Sequence, residues 1–560
     1  MDDLNLKLMK NKKFFGMALV TCITASPLSA LAAALPDGQP DAGKTLQGLK
    51  QTEMVLPQKK TDNLKVEEVV RPPLTADVGT KFAVTGVRFT GDVLFADGDL
   101  QKLVADGKGK ESSLTDLEKL ADRITSHYQS NGYLVARAYL PAQRIEGGMV
   151  EIAVLAGKYN KIILNNQTKI KDEAVQLQMG KVQSGAYIEK NALERTIWLI
   201  SDLSGAEAKA TLAPGTKTGT SDLILNILPK GVRISGNVGT DNYGNRFTGK
   251  NEITTNITIL NPISKGDALS INGVTTGSGL NNGSITYALP AFSQGGRLDF
   301  SYSRMNYELG ADYASLNATG TADTIGMNYI YNLRRSKKAN LYTQIGFMNK
   351  KLRDNLGSVP TDKKTNVWTV GLNGDSLDSF GGGGANSYSA TYSAGRLNAA
   401  GTTTSYGKGN FSAARQQYVN DRLSFLLFWN GQLASKNLDS SEKMSLGGAY
   451  GVRAYPKGEA SGDEGMLLVS ELRWTIPMAE KQGILQMVGF FDTGTVRVSK
   501  APTTSGINHR TLNGTGLGMI WNDPGKTMLR MHYAWKVGSE SATSDTDKNG
   551  RLWTQVTKFF

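Results

Sequence analysis

From residue 231 to residue 560 the sequence is a succession of short segments in which apolar and polar side chains alternate along the chain. In "RLDFSYS", for example, Leu298, Phe300 and Tyr302 share one parity and polar residues occupy the other. A period of two is the signature of β-strands with one apolar and one polar face. About sixteen such segments follow one another without a helical period. This half of the chain is therefore predicted to be all-β.

The number of strands decides between the two all-β architectures that alternate in this way. Open sheets rarely exceed about ten strands, which argues against a soluble β-sandwich. Apolar faces with aromatic residues near the strand ends, opposite polar faces, are typical of a transmembrane barrel with lipid outside and water inside. We predict such a barrel over residues 231–560, with about sixteen antiparallel strands. A final Phe560 is typical of outer-membrane barrels and is the predicted barrel-assembly signal, although Lys558 interrupts the apolar alternation of the last strand.

The N-terminus has the features of a secretory signal peptide. Three lysines within residues 10–13 precede the apolar run "FFGMALVTC", and "SPLSALAAA" then supplies small residues in A-x-A spacing. We predict that residues 1–34 are a signal peptide, with cleavage after Ala32 or Ala34. A buried apolar helix is the alternative, and a lipoprotein anchored through Cys22 is disfavoured because a threonine precedes that cysteine.

The composition of the chain limits the environments and the partners that we expect for it. No later stretch approaches the roughly 18 apolar residues of a membrane-spanning helix. The formal charge of +13 is a modest excess on 560 residues and favours acidic lipid headgroups or an acidic partner. For an exported chain we do not expect a nucleic-acid partner. Because the one cysteine lies in the predicted signal peptide, no disulfide is expected in the mature protein.

Two small α+β modules are predicted between the N-terminus and the barrel. Residues 35–80 read as a linker, in which residues 41–53 form either a short helix or a disordered tail. Residues 81–157 then follow the order strand, helix, strand, strand, and residues 158–230 repeat it. The helix of the first module carries one apolar stripe and begins with Thr115 and Glu118 in the spacing of a capping box.

The sequence offers little support for an enzyme. Its three histidines, His127, His509 and His532, do not accompany a serine or cysteine motif, so no catalytic residues are predicted. The glycine-rich stretches lack the strand–helix context of nucleotide-binding loops, and no cluster has the spacing of metal ligands. We expect no cofactor and no metal.

Several long motifs, in the same order, resemble the transporter components of bacterial two-partner secretion, the family of haemolysin activators and the filamentous-haemagglutinin transporter. They are "GYLVARAYLPAQRIEGGMVEIAVLAGK", "GNVGTDNYGNRFTG", "GVRAYPKGEASGDEG", "LLVSELRWTIP" and "GFFDTGTV". The resemblance implies that the two modules are periplasmic POTRA domains and that residues 41–53 plug the barrel. It also implies that a long loop, about residues 435–465, folds back into the lumen of a sixteen-stranded barrel.

The resemblance also implies the site residues. The family's loop motif V-R-G-Y/F falls on Val452, Arg453, Ala454 and Tyr455, and its barrel-wall motif F-x-D-x-G falls on Phe490, Asp492 and Gly494. Because Ala454 replaces the usual glycine, we expect that its backbone does not need a positive φ.

An independent argument supports a pair between the two motifs. On the strand "ILQMVGFFD" the polar parity, which includes Gln486 and Asp492, is expected to face the lumen. A guanidinium in a partly enclosed lumen needs an anion, and bidentate contact with a carboxylate is the strong form of that interaction. We therefore predict an ion pair between Arg453 and Asp492.

The expected function is secretion through the outer membrane of a Gram-negative cell, by type V (two-partner) secretion. The modules would capture an unfolded, haemolysin- or adhesin-like exoprotein in the periplasm, with the exposed edges of their sheets open to an extended client. The partners would be that exoprotein, large and β-helical, the barrel-assembly machinery during biogenesis, and outer-membrane lipid. A barrel-assembly insertase is the alternative, and a passive porin, which would not need such modules, is less favoured.

Overall fold

The computed structural model describes residues 40–51, 56–58, 63–67, 81–357, 359–479, 482–503 and 505–560, so the predicted signal peptide lies outside the described residues. The chain forms two compact units. One unit consists of residues 60–230 with 335–337, and the other contains the remaining residues. Within the described part of the chain, no helix is both long and apolar enough to cross a membrane.

Helix α1 (Ala42–Gly48) and strand β1 (Leu64–Val66) are the first elements of the described chain. The first module follows, with elements β2 (Lys81–Val84), β3 (Gly86–Gly91), α2 (Asp97–Leu103), β4 (Lys110–Ser113), α3 (Leu114–Ser130), β5 (Arg137–Tyr139) and β6 (Met149–Leu155). Its main sheet has the order β3-β6-β5, with β3 and β6 parallel, and β2 pairs with β4. The module is therefore α+β, as expected, but the first predicted strand is divided into β2 and β3, and a short helix, α2, and a short strand, β4, precede the predicted helix.

Helix α3 shows how the apolar pattern builds the core of the first module. Its buried stripe is the predicted one, Leu117, Leu120, Ala121, Ile124 and Tyr128. The stripe packs in one cluster with the inward residues of β6, among them Ile152. The predicted capping box was wrong by two residues. Ser113 is the N-cap, and its side chain and that of Asp116 each accept a hydrogen bond from the other's backbone N–H.

The second module contains β7 (Lys158–Asn166), α4 (Asp172–Gln176), α5 (Lys190–Ser201), β8 (Ala206–Pro214) and β9 (Thr220–Pro229). Residues Leu193, Ile197 and Ile200 of α5 are buried against the sheet, as the period of the sequence predicted. The sheet has the order β1-β8-β9-β7, so a strand from the preceding linker lies at one edge. The sequence pattern did not reveal this strand.

Asp92 joins the two modules. Its carboxylate accepts hydrogen bonds from Lys158 Nζ at 2.8 Å, Tyr187 Oη at 3.1 Å and the Ala156 N–H at 3.1 Å. Burial opposes ionisation of this carboxyl, but the hydrogen bonds, first among them the one from Lys158, outweigh burial and lower the pKa of Asp92 below its usual value. The junction therefore depends on an ionised Asp92.

Sixteen strands close into one antiparallel barrel, which confirms the predicted fold class. The barrel strands are β10 (Ile234–Asp241), β11 (Glu252–Leu260), β12 (Ala268–Thr275), β13 (Leu280–Pro290), β14 (Gly296–Glu308), β15 (Thr319–Arg335), β16 (Ala339–Leu356), β17 (Val359–Asp378), β18 (Gly384–Ala399), β19 (Thr402–Tyr418), β20 (Leu423–Ala434) and, after the loop strands β21 (Met444–Ser445) and β22 (Ser461–Gly462), β23 (Glu464–Ile476), β24 (Ile484–Arg497), β25 (His509–Asp523), β26 (Thr527–Lys536) and β27 (Gly550–Phe559). In the described chain, 3₁₀ turns occur at Ala105–Gly107, Ala311–Leu316, Phe380–Gly382 and Ser440–Glu442.

The alternation along each strand separates a lipid face from a lumen face. On β26, Met531, Tyr533 and Trp535 are exposed on the outside, whereas Arg530 and His532 are buried on the inside. Outward apolar and inward polar side chains are the arrangement of a barrel in lipid. The interior of the barrel is therefore lined by polar side chains, which can form hydrogen bonds and ion pairs with a segment that enters the lumen.

The barrel closes where β10 meets β27. The two strands pair from Asn237↔Phe559 to Asp241↔Gln555. Beyond them, Gly236 and Phe560 exchange two backbone hydrogen bonds of 3.0 Å each. The Phe560 side chain is exposed on the outer face, as is Lys558, so both lie on the lipid-facing parity of β27.

Candidate functional site

The loop between β20 and β23, residues 435–463, carries the loop motif that the sequence predicted as a functional site, and that motif is deeply buried. Leu446, Val452, Ala454 and Tyr455 have no exposed surface. They form one apolar cluster with inward residues of the barrel wall, including Val488 and Phe490 of β24 and Leu512 of β25. Because only the interior of the barrel can exclude water from these residues, the loop lies inside the lumen.

Arg453 of this loop contacts Asp492 of β24 directly. Its Nε donates to Asp492 Oδ2 at 2.8 Å and its Nη2 to Oδ1 at 2.7 Å, and the Arg453 N–H also reaches Oδ2 at 3.1 Å. Two parallel bonds to one carboxylate are the strong, geometrically specific form of an Arg–carboxylate pair. The structure therefore brings together the two residues whose pairing the sequence predicted.

A second carboxylate, which the sequence analysis missed, completes the arginine site. Glu471 on β23 accepts from Arg453 Nη1 at 2.7 Å, and its other oxygen accepts from Arg473 Nε at 2.8 Å. Glu471 lies in the quoted motif "LLVSELRWTIP", on the inward parity shared with Val469. An acidic residue on the lumen parity beside the motif was the signal that could have identified it.

The plane of the Arg453 guanidinium and the Arg453 backbone carbonyl also have contact partners in the barrel wall. The guanidinium carbon lies 3.5 Å from the centroid of the Phe490 ring, which is close enough for a strong cation–π contact in a dry site. The Arg453 carbonyl accepts a 2.7 Å hydrogen bond from the indole N–H of Trp553 on β27. One loop residue thus contacts three strands of the wall, and this arrangement fixes its position in three directions.

A cavity of about 80 Å³ adjoins Arg453. Its polar lining includes Glu471, Arg473, Arg530 and His532. Apolar residues, among them Leu426 and Ile520, form the rest of the lining, and a cavity of this size has room for water beside the polar side chains. Arg453 therefore contacts Phe490 and also borders a cavity that is partly lined by polar side chains.

Two glycines of the wall allow the loop to approach closely. A Cβ at Gly494, the last residue of the wall motif, would lie 2.8 Å from Leu446 Cδ2, and a Cβ at Gly514 would lie 2.7 Å from the Cβ of Ala454. Ala454 itself has a negative φ, so alanine fits at this position without strain. The glycine of F-x-D-x-G is therefore explained by contact with the loop.

Farther along the loop, Glu459 forms a second anchor that the sequence did not identify. Its buried carboxylate accepts from Arg510 Nη1 at 2.5 Å and from the N–H groups of Thr543 and Ser544 at 2.8 Å each. Tyr455 Oη donates to the Glu540 carbonyl at 3.0 Å. The loop is thus tied to the 537–549 connection between β26 and β27 as well as to the wall.

Helix α1 belongs to the barrel unit and packs against the beginning of the same loop. Asp41 caps the helix by accepting from the Lys44 N–H at 2.7 Å and also accepts from Ser440 Oγ at 2.6 Å. The Ala42 N–H donates to Asp354 Oδ1 of β16 at 2.7 Å. A Cβ at Gly43 would collide with Ser440. The helix ends at Gly48, earlier than the predicted residue 53, and it connects the wall to the loop.

An ionic cluster surrounds this contact between helix and loop. Lys363 of β17 lies 2.8 Å from Asp439 and 3.5 Å from Asp41, so one cation serves both the loop and the helix. Next to it, Lys350 pairs with the buried Glu442 of the loop, and Lys408 lies 3.6 Å from the same carboxylate. Removal of either segment would leave lumen charges without their partners.

Together these features define a class of protein: an outer-membrane barrel preceded by periplasmic modules, with a lumen filled by one of its own loops. The family model described as "Haemolysin secretion/activation protein ShlB/FhaC/HecB" matches residues 219–520, and the "POTRA domain, ShlB-type" model matches residues 82–157. The chain belongs to this family of two-partner secretion transporters. It resides in the outer membrane, with its POTRA region in the periplasm.

Individual relatives agree with the family. The chain is 28% identical over 545 residues to the heme/hemopexin transporter protein HuxB of Haemophilus influenzae (strain 86-028NP), a match that covers 93% of this chain and 95% of HuxB. It is 24% identical to the outer membrane transporter CdiB of Escherichia coli, over 85% of this chain and 84% of CdiB. A solved structure of CdiB from Escherichia coli superposes with a TM-score of 0.73 at 22% identity, over 88% of this chain and 93% of that one.

Proposed function

We propose that this protein captures one unfolded, haemolysin- or adhesin-like exoprotein in the periplasm and threads it through the barrel to the cell surface. The POTRA modules act as the receptor and the lumen acts as the path. No chemical step is catalysed, and folding of the client outside the cell supplies the driving force. This proposal is favoured over a barrel-assembly insertase because the family match is to secretion transporters.

One observation carries the mechanism: the lumen is closed by a loop whose position depends on the buried contact of Arg453 with Asp492 and Glu471. Two buried charges bound in this way are costly to separate one at a time. They can separate together when polar groups or water replace both partners, and the adjoining cavity, which is partly lined by polar side chains, is where we expect that replacement. We propose that Arg453, Asp492 and Glu471 are a latch that keeps the loop in its resting position.

Helix α1 is proposed as the plug that must leave before transport. Its polar contacts are hydrogen bonds and ion pairs with Ser440, Lys363 and Asp354. Its Ala42 and Leu46 side chains also pack into an apolar cluster of the barrel unit. The polar contacts are replaced by water at little cost, because each is worth only about 1 kcal/mol net, so the main cost of moving the helix is exposure of Leu46, about 1.5 to 3 kcal/mol. The helix and the loop share the Lys363 cluster, so release of one weakens the attachment of the other.

Three partners are proposed. They are the exoprotein, the barrel-assembly machinery that reads the C-terminal strand ending in Phe560, and the lipid that contacts the apolar outer face. The relatives of this chain include a heme/hemopexin transporter and a hemolysin transporter. We propose a client of the same general kind, a large secreted protein, and no nucleic-acid partner.

The test is deletion of residues 81–230 in cells that also express a candidate exoprotein encoded beside this protein. The shortened chain should still insert in the outer membrane and conduct ions, because every strand of the barrel is retained. Secretion should be lost, because the receptor is gone. Secretion by the shortened chain at the full-length level would show that the modules are not the receptor.

A further inference from the structure

A second cavity, of about 260 Å³, lies within the barrel unit and shares no lining residue with the cavity beside Arg453. Its walls come from the 242–251 connection between β10 and β11, from the start of β27 with the connection before it, and from Pro456 and Lys457 of the 435–463 loop. Small-molecule sites begin at about 300 Å³, so the cavity has room for one charged group and part of the molecule that carries it.

The cavity lies at the extracellular end of the barrel. β10 follows the periplasmic POTRA region in the chain, so it begins at the periplasmic end and runs outwards. β27 is antiparallel to β10, so its first residues also lie at the extracellular end. A ligand can therefore reach the cavity from the medium or from the outer leaflet of the membrane.

The lining of this cavity is strongly basic. Among the described residues that line it, Asp545 is the one carboxylate, whereas five are cations: Arg246, Lys250, Lys457, Lys548 and Arg551. Two of these cations have a further carboxylate partner outside the lining. Lys457 lies 2.9 Å from Glu252, and Arg246 lies 2.7 Å from Asp312. Five cations thus face three carboxylates, and the site keeps an excess of two positive charges.

Asp545 holds two of the cations side by side. Its carboxylate, which is 5% exposed, accepts from Lys250 Nζ at 2.9 Å and from Arg551 Nη1 at 3.0 Å. Because both side chains are already positioned, an incoming anion has less ordering to impose on them. One carboxylate serves two cations here, so the charge is not balanced by the contact.

Two cations of the lining have donors to spare. The Nε and Nη2 atoms of Arg551 are buried, and neither has a hydrogen-bond partner among the residues that the structure describes. Lys548 is exposed, and within the described part of the chain its ammonium has no ionic or hydrogen-bond partner. A buried donor without a partner is costly, and a nearby anion lowers the free energy of such a cation. The lining therefore has unused capacity for negative charge.

We propose that this cavity binds a phosphate group, with Arg551, Lys250 and Lys548 as its main contacts. A phosphate monoester carries nearly two negative charges at pH 7, which matches the excess of the lining. Its oxygens can accept from a guanidinium and two ammonium groups at once, whereas a carboxylate has one charge and two oxygens. The group can belong to a phosphorylated glycolipid of the outer leaflet or to free phosphate. This site goes beyond the proposed function, because its ligand is not the client.

The first experiment measures binding of the phosphate group itself. The full chain in a non-ionic detergent is dialysed to equilibrium against radiolabelled inorganic phosphate, in chloride buffer of constant ionic strength. The wild type should bind one phosphate per chain, and Arg551→Gln should weaken the affinity tenfold or more. Lys548→Gln removes an exposed cation without a partner, so the fold is retained, and it should weaken the affinity about threefold or more.

The matched control is Lys526→Gln, which removes the same charge from an exposed residue in the turn between β25 and β26, at the other end of the barrel. Its affinity for phosphate should equal that of the wild type. Heat-modifiable mobility on gels confirms that each variant is folded before its binding is measured.

The second experiment distinguishes the two sources of the phosphate group. Immobilised protein is incubated in detergent micelles with radiolabelled lipid A that carries two phosphates, or with the same lipid after removal of both. Retention of the phosphorylated lipid alone, reduced fivefold or more by Arg551→Gln, would assign the site to a glycolipid headgroup. Binding of inorganic phosphate without retention of the lipid would assign it to free phosphate.

Either assignment supports the proposal, provided that the Lys526→Gln control behaves like the wild type. The proposal is overturned if Arg551→Gln and Lys548→Gln bind both inorganic phosphate and phosphorylated lipid A as the wild type does, or if none of the three binds either probe. Equal weakening by Lys526→Gln would overturn it as well, because binding would then follow the overall charge of the chain and not this cavity.

Discussion

Arg453 on the lumen loop and Asp492 on β24 are joined by two parallel hydrogen bonds of 2.8 and 2.7 Å, and both side chains are almost completely buried. A buried pair of this kind gains little over an apolar pair of the same size, but the loss of one partner is expensive because the other remains as an uncompensated charge. The pair therefore acts mainly to specify where the loop lies.

The first prediction concerns this pair. Arg453→Ala should release the loop and cripple secretion without preventing barrel insertion, since truncation of one member of a buried pair costs about 3 to 5 kcal/mol. Asp492→Ala should be less severe, because Glu471 still holds Arg453 at 2.7 Å. Arg453→Lys should also be impaired, because an ammonium cannot form the planar fork. Secretion and heat-modifiable mobility on gels are the measurements.

Two controls make this prediction specific. The double alanine variant should be no worse than Arg453→Ala, because residues that act as one unit do not give additive losses. Arg353→Ala removes another bidentate pair, with Asp362, but an exposed one, and should leave secretion unchanged. Additive losses in the double variant would mean that Arg453 and Asp492 act separately.

The second prediction concerns the close contact of wall and loop. Gly514→Val should push the loop away from the wall, because an added Cβ would lie 2.7 Å from Ala454 Cβ, and overpacking of this kind costs about 1 to 3 kcal/mol. Limited trypsin digestion of the folded protein should then cut at Arg453 or Lys457, whereas the wild type, in which Arg453 is buried, should resist cleavage there. Gly283→Val on β13, where an added Cβ meets nothing within 4 Å, is the matched control. Equal protection in both variants would exclude a tight fit at Gly514.

The third prediction concerns helix α1. Asp41→Ala removes the N-cap of the helix together with its contacts to Ser440 and Lys363, and loss of a cap alone costs about 1 kcal/mol. The helix should leave the barrel more often. Single-channel recordings in planar bilayers should then show a larger fraction of time in a high-conductance state. Asp421→Ala, at an exposed turn, should behave like the wild type; an unchanged Asp41→Ala channel would mean that the helix does not obstruct the pore.

The fourth prediction is a pH dependence of the periplasmic modules. The pKa of Asp92 is lowered in the folded protein, so ionisation of this group stabilises the folded state above the unfolded pKa of about 3.9, and that contribution is lost as the pH falls through the folded-state pKa. Asp92→Asn should therefore lower the unfolding midpoint of the modules at pH 7 and have a much smaller effect near pH 3. Differential scanning calorimetry of the full chain in detergent measures this difference. The exposed Asp122→Asn should show no such pH-dependent difference.

Particular residues show how far sequence reasoning reached. The alternation on β14, the apolar stripe of α3 and the strands β7, β8 and β9 follow directly from local patterns, and the structure places them as predicted. The capping box was misplaced because two candidate pairs in the right spacing lie within six residues, and only the folded backbone chooses between them. Glu471 shares the lumen parity of a quoted motif, but it was missed because the packing of the loop, which brings Arg453 to it, cannot be read from the local pattern.

The sequence by itself determined the closed barrel, the two α+β modules and the residue types of the latch, because periods of two and 3.6 and the motifs are written locally in the chain. Only the tertiary structure decided which groups meet. The register of β23 and β24 puts Glu471 opposite Phe490 and next to Asp492. The packing of the loop brings Glu459 to Arg510, and strand pairing takes residues 64–66 to β8. These contacts join residues that are far apart in the chain. In the unfolded chain, a charged group or a strand edge can form its hydrogen bonds with water. Only the folded structure excludes water and so requires a particular partner.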